Sequence, residues 1–148
     1  MPDNRSDRFF DSGSFVLFGM SRKRKNFAWS IHKALIEAGK NVFPVHPQGG
    51  KTDGVEFYSS VDSLPDSPDA GIICLNLNKH LDTVPELKTA GLKKIWLQQG
   101  SYDNSALAEL ESAGVDCLKG CALMYIPGTS FPHRFHRFLH RLFSRGQN

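Results

Sequence analysis

Five short apolar runs, spaced along the chain and mostly separated by helical patterns, leave this sequence few folds to choose from. The runs are Phe15–Phe18, Asn41–Val45, Ala70–Leu77, Lys94–Leu97 and Val115–Leu118, and each contains a β-branched or aromatic residue. After the first run, apolar residues recur at helical spacing at Phe27, Ile31, Ala34, Leu35 and Ala38. After the third the same spacing returns at Leu81, Val84 and Leu87, and after the fourth at Ala106, Leu107 and Leu110. Asn26 stands at an N-cap position, Pro85 suits a first turn begun near Thr83, and Gly39, Gly91 and Gly114 stand where helices stop. The second interval differs. There HPQGGKTDG is a turn-rich loop, Val55–Tyr58 reads as a short extra strand, and Pro44 suggests that the second strand ends there.

Strands that alternate with helices imply right-handed crossovers. The fold expected is therefore an α/β, doubly wound, Rossmann-like parallel sheet of about five strands with helices on both faces. With 148 residues, 40% of them apolar, the chain suits one domain with a substantial core. We read residues 14–148 as that domain. Residues 1–13 read as a loose or partly docked tail with Phe9 and Phe10 as its apolar anchors, and residues 131–145 as a closing amphipathic helix.

In sheets of this kind ligands bind beyond the carboxyl ends of the strands, which here are Gly19–Lys25, His46–Gly50, Asn76–Lys79 and Gln98–Ser101. The first of these follows the strand FVLF, carries Arg22, Lys23, Arg24 and Lys25 in succession, and runs into a helix start. Such a layout suits phosphate, with the Ser21 hydroxyl, free N–H groups and the positive end of the helix as further donors. The competing readings are a solvated loop and a nucleic-acid patch. A second glycine after Gly19 is missing, so the backbone cannot approach a pyrophosphate as it does in G-x-G-x-x-G dinucleotide folds.

Charge is unevenly divided. Residues 22–25 carry +4 and residues 131–148 another +4, which leaves ten basic against fifteen acidic side chains elsewhere. An acidic body with two basic patches fits localised anion sites better than a general nucleic-acid surface. In the terminal segment His133, His136 and His140 share one side, but no Cys, Asp or Glu joins them, so a solvated basic face outweighs a metal site; an interfacial membrane helix is the other alternative. Cys74, Cys117 and Cys121 form no CxxC pair, and no apolar run reaches the roughly 18 residues of a membrane span. Reduced thiols and a cytoplasmic location are expected. No G-x-S-x-G, HExxH or GxxxxGK[ST] motif is present, and His46 and His80 lack identifiable acid–base partners. No catalytic constellation emerges.

FGMS after the first strand, NVFPVHPQGG on the second, AGIICLNL, IWLQQGS and GCALM recur in an order and spacing that resembles the small stand-alone coenzyme A-binding domain proteins. Those are similar in fold to the nucleotide-binding domain of the succinyl-CoA synthetase alpha subunit. The resemblance runs from about Phe15 to Tyr125, and HRFHRF in the terminal segment resembles one branch of the family. It implies coenzyme A or an acyl-CoA as ligand. It also implies phosphate contacts at Gly19, Ser21, Arg22, Lys23 and Arg24, a turn at His46 and Pro47, and a Gln99–Gly100 pair near the ligand. Four successive cations depart from the Pro and Gly of many relatives. The resemblance places a cysteine at Cys121, where a mixed disulfide with the coenzyme thiol competes with a simple buried turn residue. Ligand binding or sensing without catalysis is the expectation. A subunit or relic of an acyl-CoA synthetase or transferase is the first alternative, and a basic nucleic-acid or membrane-surface protein the second. A partner protein or a homo-oligomer is compatible with either of the first two readings.

Overall fold

The computed structural model describes residues 4–127. The helix expected over 131–145, and the basic patch it carries, lie outside them. Five strands form one wholly parallel sheet: β1 (Ser14–Phe18), β2 (Asn41–Val45), β5 (Ala70–Ile73), β6 (Lys94–Gln98) and β7 (Asp116–Gly120). Their spatial order is β2-β1-β5-β6-β7. Succession along the chain moves outward from β1 to β2, then crosses back to β5, so the carboxyl ends of β1 and β5 flank the point where order reverses.

Helices cover both faces. α2 (Phe27–Glu37) lies on one side, and α3 (Thr83–Thr89) and α4 (Asn104–Ser112) lie on the other. The strands sort their side chains accordingly, because alternate residues point to opposite faces. Phe15, Leu17, Ile72 and Trp96 join Ile31 and Leu35 of α2, whereas Val16, Phe18, Ile73 and Leu97 join Val84 and Leu87 of α3 and Leu110 of α4. Continuous apolar runs were needed because both faces are buried. α4 starts cleanly, with the Asp103 carboxylate accepting the Ala106 N–H at 2.8 Å.

Three departures from the sequence reading have clear causes. First, the leading segment holds a helix, α1 (Asn4–Phe9), and Phe9 and Phe10 are buried against Phe15 and Trp96, with ring centroids 5.1 to 5.9 Å apart. Two such side chains contribute about 1.5–3 kcal/mol each, enough to hold a segment with few other anchors. Second, the turn-rich loop contains an antiparallel hairpin of β3 (Gly50–Thr52) and β4 (Val55–Phe57), of which only the second strand was expected. Third, Pro44 does not end β2, which continues to Val45. The Pro44 carbonyl accepts the Tyr58 N–H at 2.9 Å on the side away from β1, so the N–H that proline lacks also faces outward. Its ladder with β1 is intact. The run Ala70–Leu77 is strand only as far as Ile73, after which Cys74 gives one more bond, to the Phe18 carbonyl at 2.8 Å, and the chain turns away.

Candidate ligand-binding site

At the carboxyl edge, beside the reversal point, lies a cleft of about 480 Å³. Phe18 to Ser21 form one wall, Val45 to Gln48 with Ser59 a second, and Leu75 with His80, Asp82, Thr83 and Glu86 a third. Gly19 sits at its throat with φ +111°, and a Cβ there would lie 2.6 Å from the Leu75 N and 2.7 Å from the Cys74 carbonyl carbon. Only glycine permits the first loop to pass so close to the chain leaving β5.

The first loop is held by its own side chains. Asn26 occupies the N-cap position of α2 without capping it. Its amide instead donates to the Gly19 carbonyl at 2.8 Å and accepts from the Ser21 N–H at 3.4 Å. The Ser21 hydroxyl oxygen accepts the N–H groups of Lys23 and Arg24 at 3.2 and 3.4 Å, and Trp29 Nε1 donates to the Ser21 carbonyl at 2.8 Å. Two N–H groups expected to face an anion are therefore engaged locally, while the Ser21 hydroxyl proton still has a free direction.

The four cations diverge. Arg22 is half-buried and donates through Nη1 to Gln48 Oε1 at 3.0 Å, whereas Lys23, Arg24 and Lys25 are exposed, with Lys25 Nζ 5.7 Å from the centre of the Trp29 ring. In the second loop His46 Nδ1 accepts the Gln48 N–H at 3.1 Å, which leaves the ring proton on Nε2. Burial, with Arg22 as the lesser cause, holds this imidazole below its ordinary pKa, so it is a neutral donor on the cleft wall.

The structure thus brings Gly19, Ser21, His46 and Pro47 together around the cleft, with Arg22 tied to its wall through Gln48. Gln99 and Gly100 are exposed in the turn after β6 and do not line it. The preceding residue holds the structural role. Gln98 is buried, and its Oε1 accepts the Ala122 N–H at 3.0 Å. Cys121 is half-buried and packs in the cluster on the α2 side, away from the cleft lining. Cys74 packs there too, and burial, with Cys121 adding, pushes its thiol far above the ordinary range. All three cysteines are free thiols.

Gln48, Asp82, Thr83 and Glu86 were not singled out from sequence. Glu86 is committed in part to structure, since its carboxylate accepts the Val61 N–H at 2.9 Å. No regular period marks loop side chains that converge across three connections, though Gln48 falls within the P-x-G-G turn and could have been chosen on that ground. Among the described residues no group of three or more metal-ligating side chains occurs, and no helix is long and apolar enough to cross a membrane.

An open parallel sheet with this strand order and a basic loop at its reversal point defines a nucleotide-binding type of α/β domain. More narrowly, the CoA binding domain family matches residues 13–127, and the chain belongs to that family. It is similar to the alpha subunit of acetate–CoA ligase [ADP-forming] II of Pyrococcus furiosus, with 29% identity over 90 residues. That match takes in 60% of this chain and 20% of the relative, so the chain spans about a fifth of that protein's length. A hypothetical protein from Pyrococcus horikoshii OT3 superposes with a TM-score of 0.75 at 24% identity, over 84% of this chain and 89% of that one. The dinucleotide forming acetyl-coenzyme A synthetase 1 of Ca. Korarchaeum cryptofilum, in complex with phosphate and ADP, gives 0.62 at 22%, over 80% of this chain and 27% of that one. The two structural likenesses show the fold.

Proposed function

We propose that this protein binds coenzyme A, free or as an acyl thioester, in the cleft at the carboxyl edge, as a binding or sensing protein of the cytoplasm. The observation that carries the reading is that the family match spans every residue lining the cleft. Ser21 and Arg22 receive the phosphates, which bring about four negative charges, in charge-assisted bonds, and Lys23 and Arg24 add attraction from the solvent side. His46 and Pro47 shape the opposite wall, and Gln99 and Gly100 meet only the far end of an extended ligand. Titration calorimetry with coenzyme A and dephospho-coenzyme A tests this. Saturable binding is expected, weaker for the dephospho form; none for either at about millimolar concentration would sink the proposal.

A second reading is favoured by the likeness to a ligase alpha subunit: the chain works with a partner chain in thioester synthesis. It predicts a co-purifying subunit and nucleotide-dependent thioester formation. Cys121 lies outside the cleft lining, so a covalent mode, exchange of its thiolate with a coenzyme A disulfide that releases one coenzyme A thiol, requires the thiol end of the ligand to extend beyond the cleft. Native mass spectrometry of gently purified protein separates the modes, because a covalently held coenzyme is released only by reductant.

A further inference from the structure

The four cations of the first loop are equal in sequence but not in space. Lys23, Arg24 and Lys25 are exposed, Lys25 beside the Trp29 ring, whereas half-buried Arg22 reaches across to the second loop. We propose that Arg22 is the phosphate clamp of this site and that Gln48 is the positioning residue that holds it ready, a refinement that rests on the coenzyme A reading.

Gln48 Oε1 takes only Nη1 of the guanidinium, at 3.0 Å. The Nε of Arg22 is buried, yet it has no hydrogen-bond partner among the described residues. A buried donor without an acceptor is costly, more so on a charged group, and a phosphate oxygen is an acceptor that removes the cost. The edge concerned faces Gly50, where a Cβ would lie 2.9 Å from Nη2, 3.5 Å from Cζ and 4.0 Å from Nε. Glycine therefore lets this edge, the one a guanidinium offers to two oxygens of one phosphate, lie close to the second loop without a clash. The clamp requires rotation about the outer torsions of Arg22, with Gln48 as pivot, to bring that edge to the cleft. Gln48 itself lines the cleft, which places the pivot at its wall. Lys23 and Arg24 then act as a diffuse attractive field and make no fixed contact.

The direct test follows the arginine Nε–H resonances of the wild-type protein by proton–nitrogen NMR during titration with coenzyme A and, separately, with inorganic pyrophosphate. The Arg22 resonance is expected to move and saturate with both, and that of Arg24 to stay. A shift with pyrophosphate while coenzyme A fails to bind supports the clamp and overturns the coenzyme A reading. Coenzyme A binding that leaves the Arg22 resonance unmoved overturns the clamp alone. If neither ligand binds, both fall. In titrations, Arg22→Lys should weaken coenzyme A about tenfold and Arg24→Lys less than about twofold. Gln48→Met should weaken binding in the wild-type background and have no further effect beside Arg22→Lys, because its action passes through Arg22. Equal losses in both backgrounds would show a merely structural role. If the Arg22→Lys loss persists with dephospho-coenzyme A the clamp holds the pyrophosphate; if it vanishes, the 3′-phosphate.

Discussion

Two residues at the cleft give the sharpest tests at the scale of single side chains. Gly19→Ala places a methyl 2.6 Å from the Leu75 N at φ +111°, and rigid backbone stands on the other side. We expect a loss of about 2 kcal/mol or more in urea denaturation, together with a weakened ligand site. His46 has a folded pKa below 6.5, so the unfolded chain binds its proton first. Its contribution to stability is therefore complete above about pH 6.5 and is lost as pH falls from there toward the folded value. His32 is depressed in the same sense by burial and is common to both proteins in the comparison. Denaturation at about pH 7.5 and about pH 5.5 should show a larger loss for wild type than for His46→Gln, and an equal loss would refute the assignment. The glycine and the histidine were both legible as residue types in the right loops. The tautomer of His46 was not, since it depends on the Gln48 N–H two residues away turning back onto the ring.

Among elements, the strands and the three later helices were legible because their periods are long and both sheet faces demand apolar side chains. What could not be read was where short pieces dock. α1 has too few residues to announce itself, yet Phe9 and Phe10 complete the cluster around Trp96. Phe10→Ala should cost about 3–5 kcal/mol, seen as an early loss of the near-ultraviolet signal of Trp96 on heating. A change under about 1 kcal/mol would mean that α1 is only loosely docked. The second docked piece is the turn Ala122–Met124, tied to β6 by Gln98. Gln98→Met strands the Ala122 N–H in a buried setting, and should cost about 1–3 kcal/mol and speed amide exchange at Ala122. The resemblance implies a ligand role for Gln99 through its Q-G pair and says nothing of the structural role of its buried neighbour Gln98.

For the molecule as a whole, the proposed binding of coenzyme A would be linked to folding. Coenzyme A at about one hundred times its dissociation constant should stabilise the fold by about 2.7 kcal/mol, read as a rise in melting temperature that an equal concentration of sodium phosphate does not reproduce. The same cleft gathers residues only from Phe18 to Glu86, while β6, α4 and β7 serve as scaffold. That division was within reach of sequence once the strand order was assumed, because the reversal point falls between the first and third parallel strands. Its cost is an extended row of strands with two margins. At one of them Pro44 offers no outward N–H, and Tyr58 already occupies the neighbouring backbone groups through the Pro44 carbonyl and the His46 N–H. At the other, Asp116 and Lys119 are exposed on β7, and Arg5 of α1 pairs with Asp116. Strand-by-strand stacking of one copy on the next is thus blocked by chemistry at one rim and opposed by charge at the other, a built-in resistance to fibril growth.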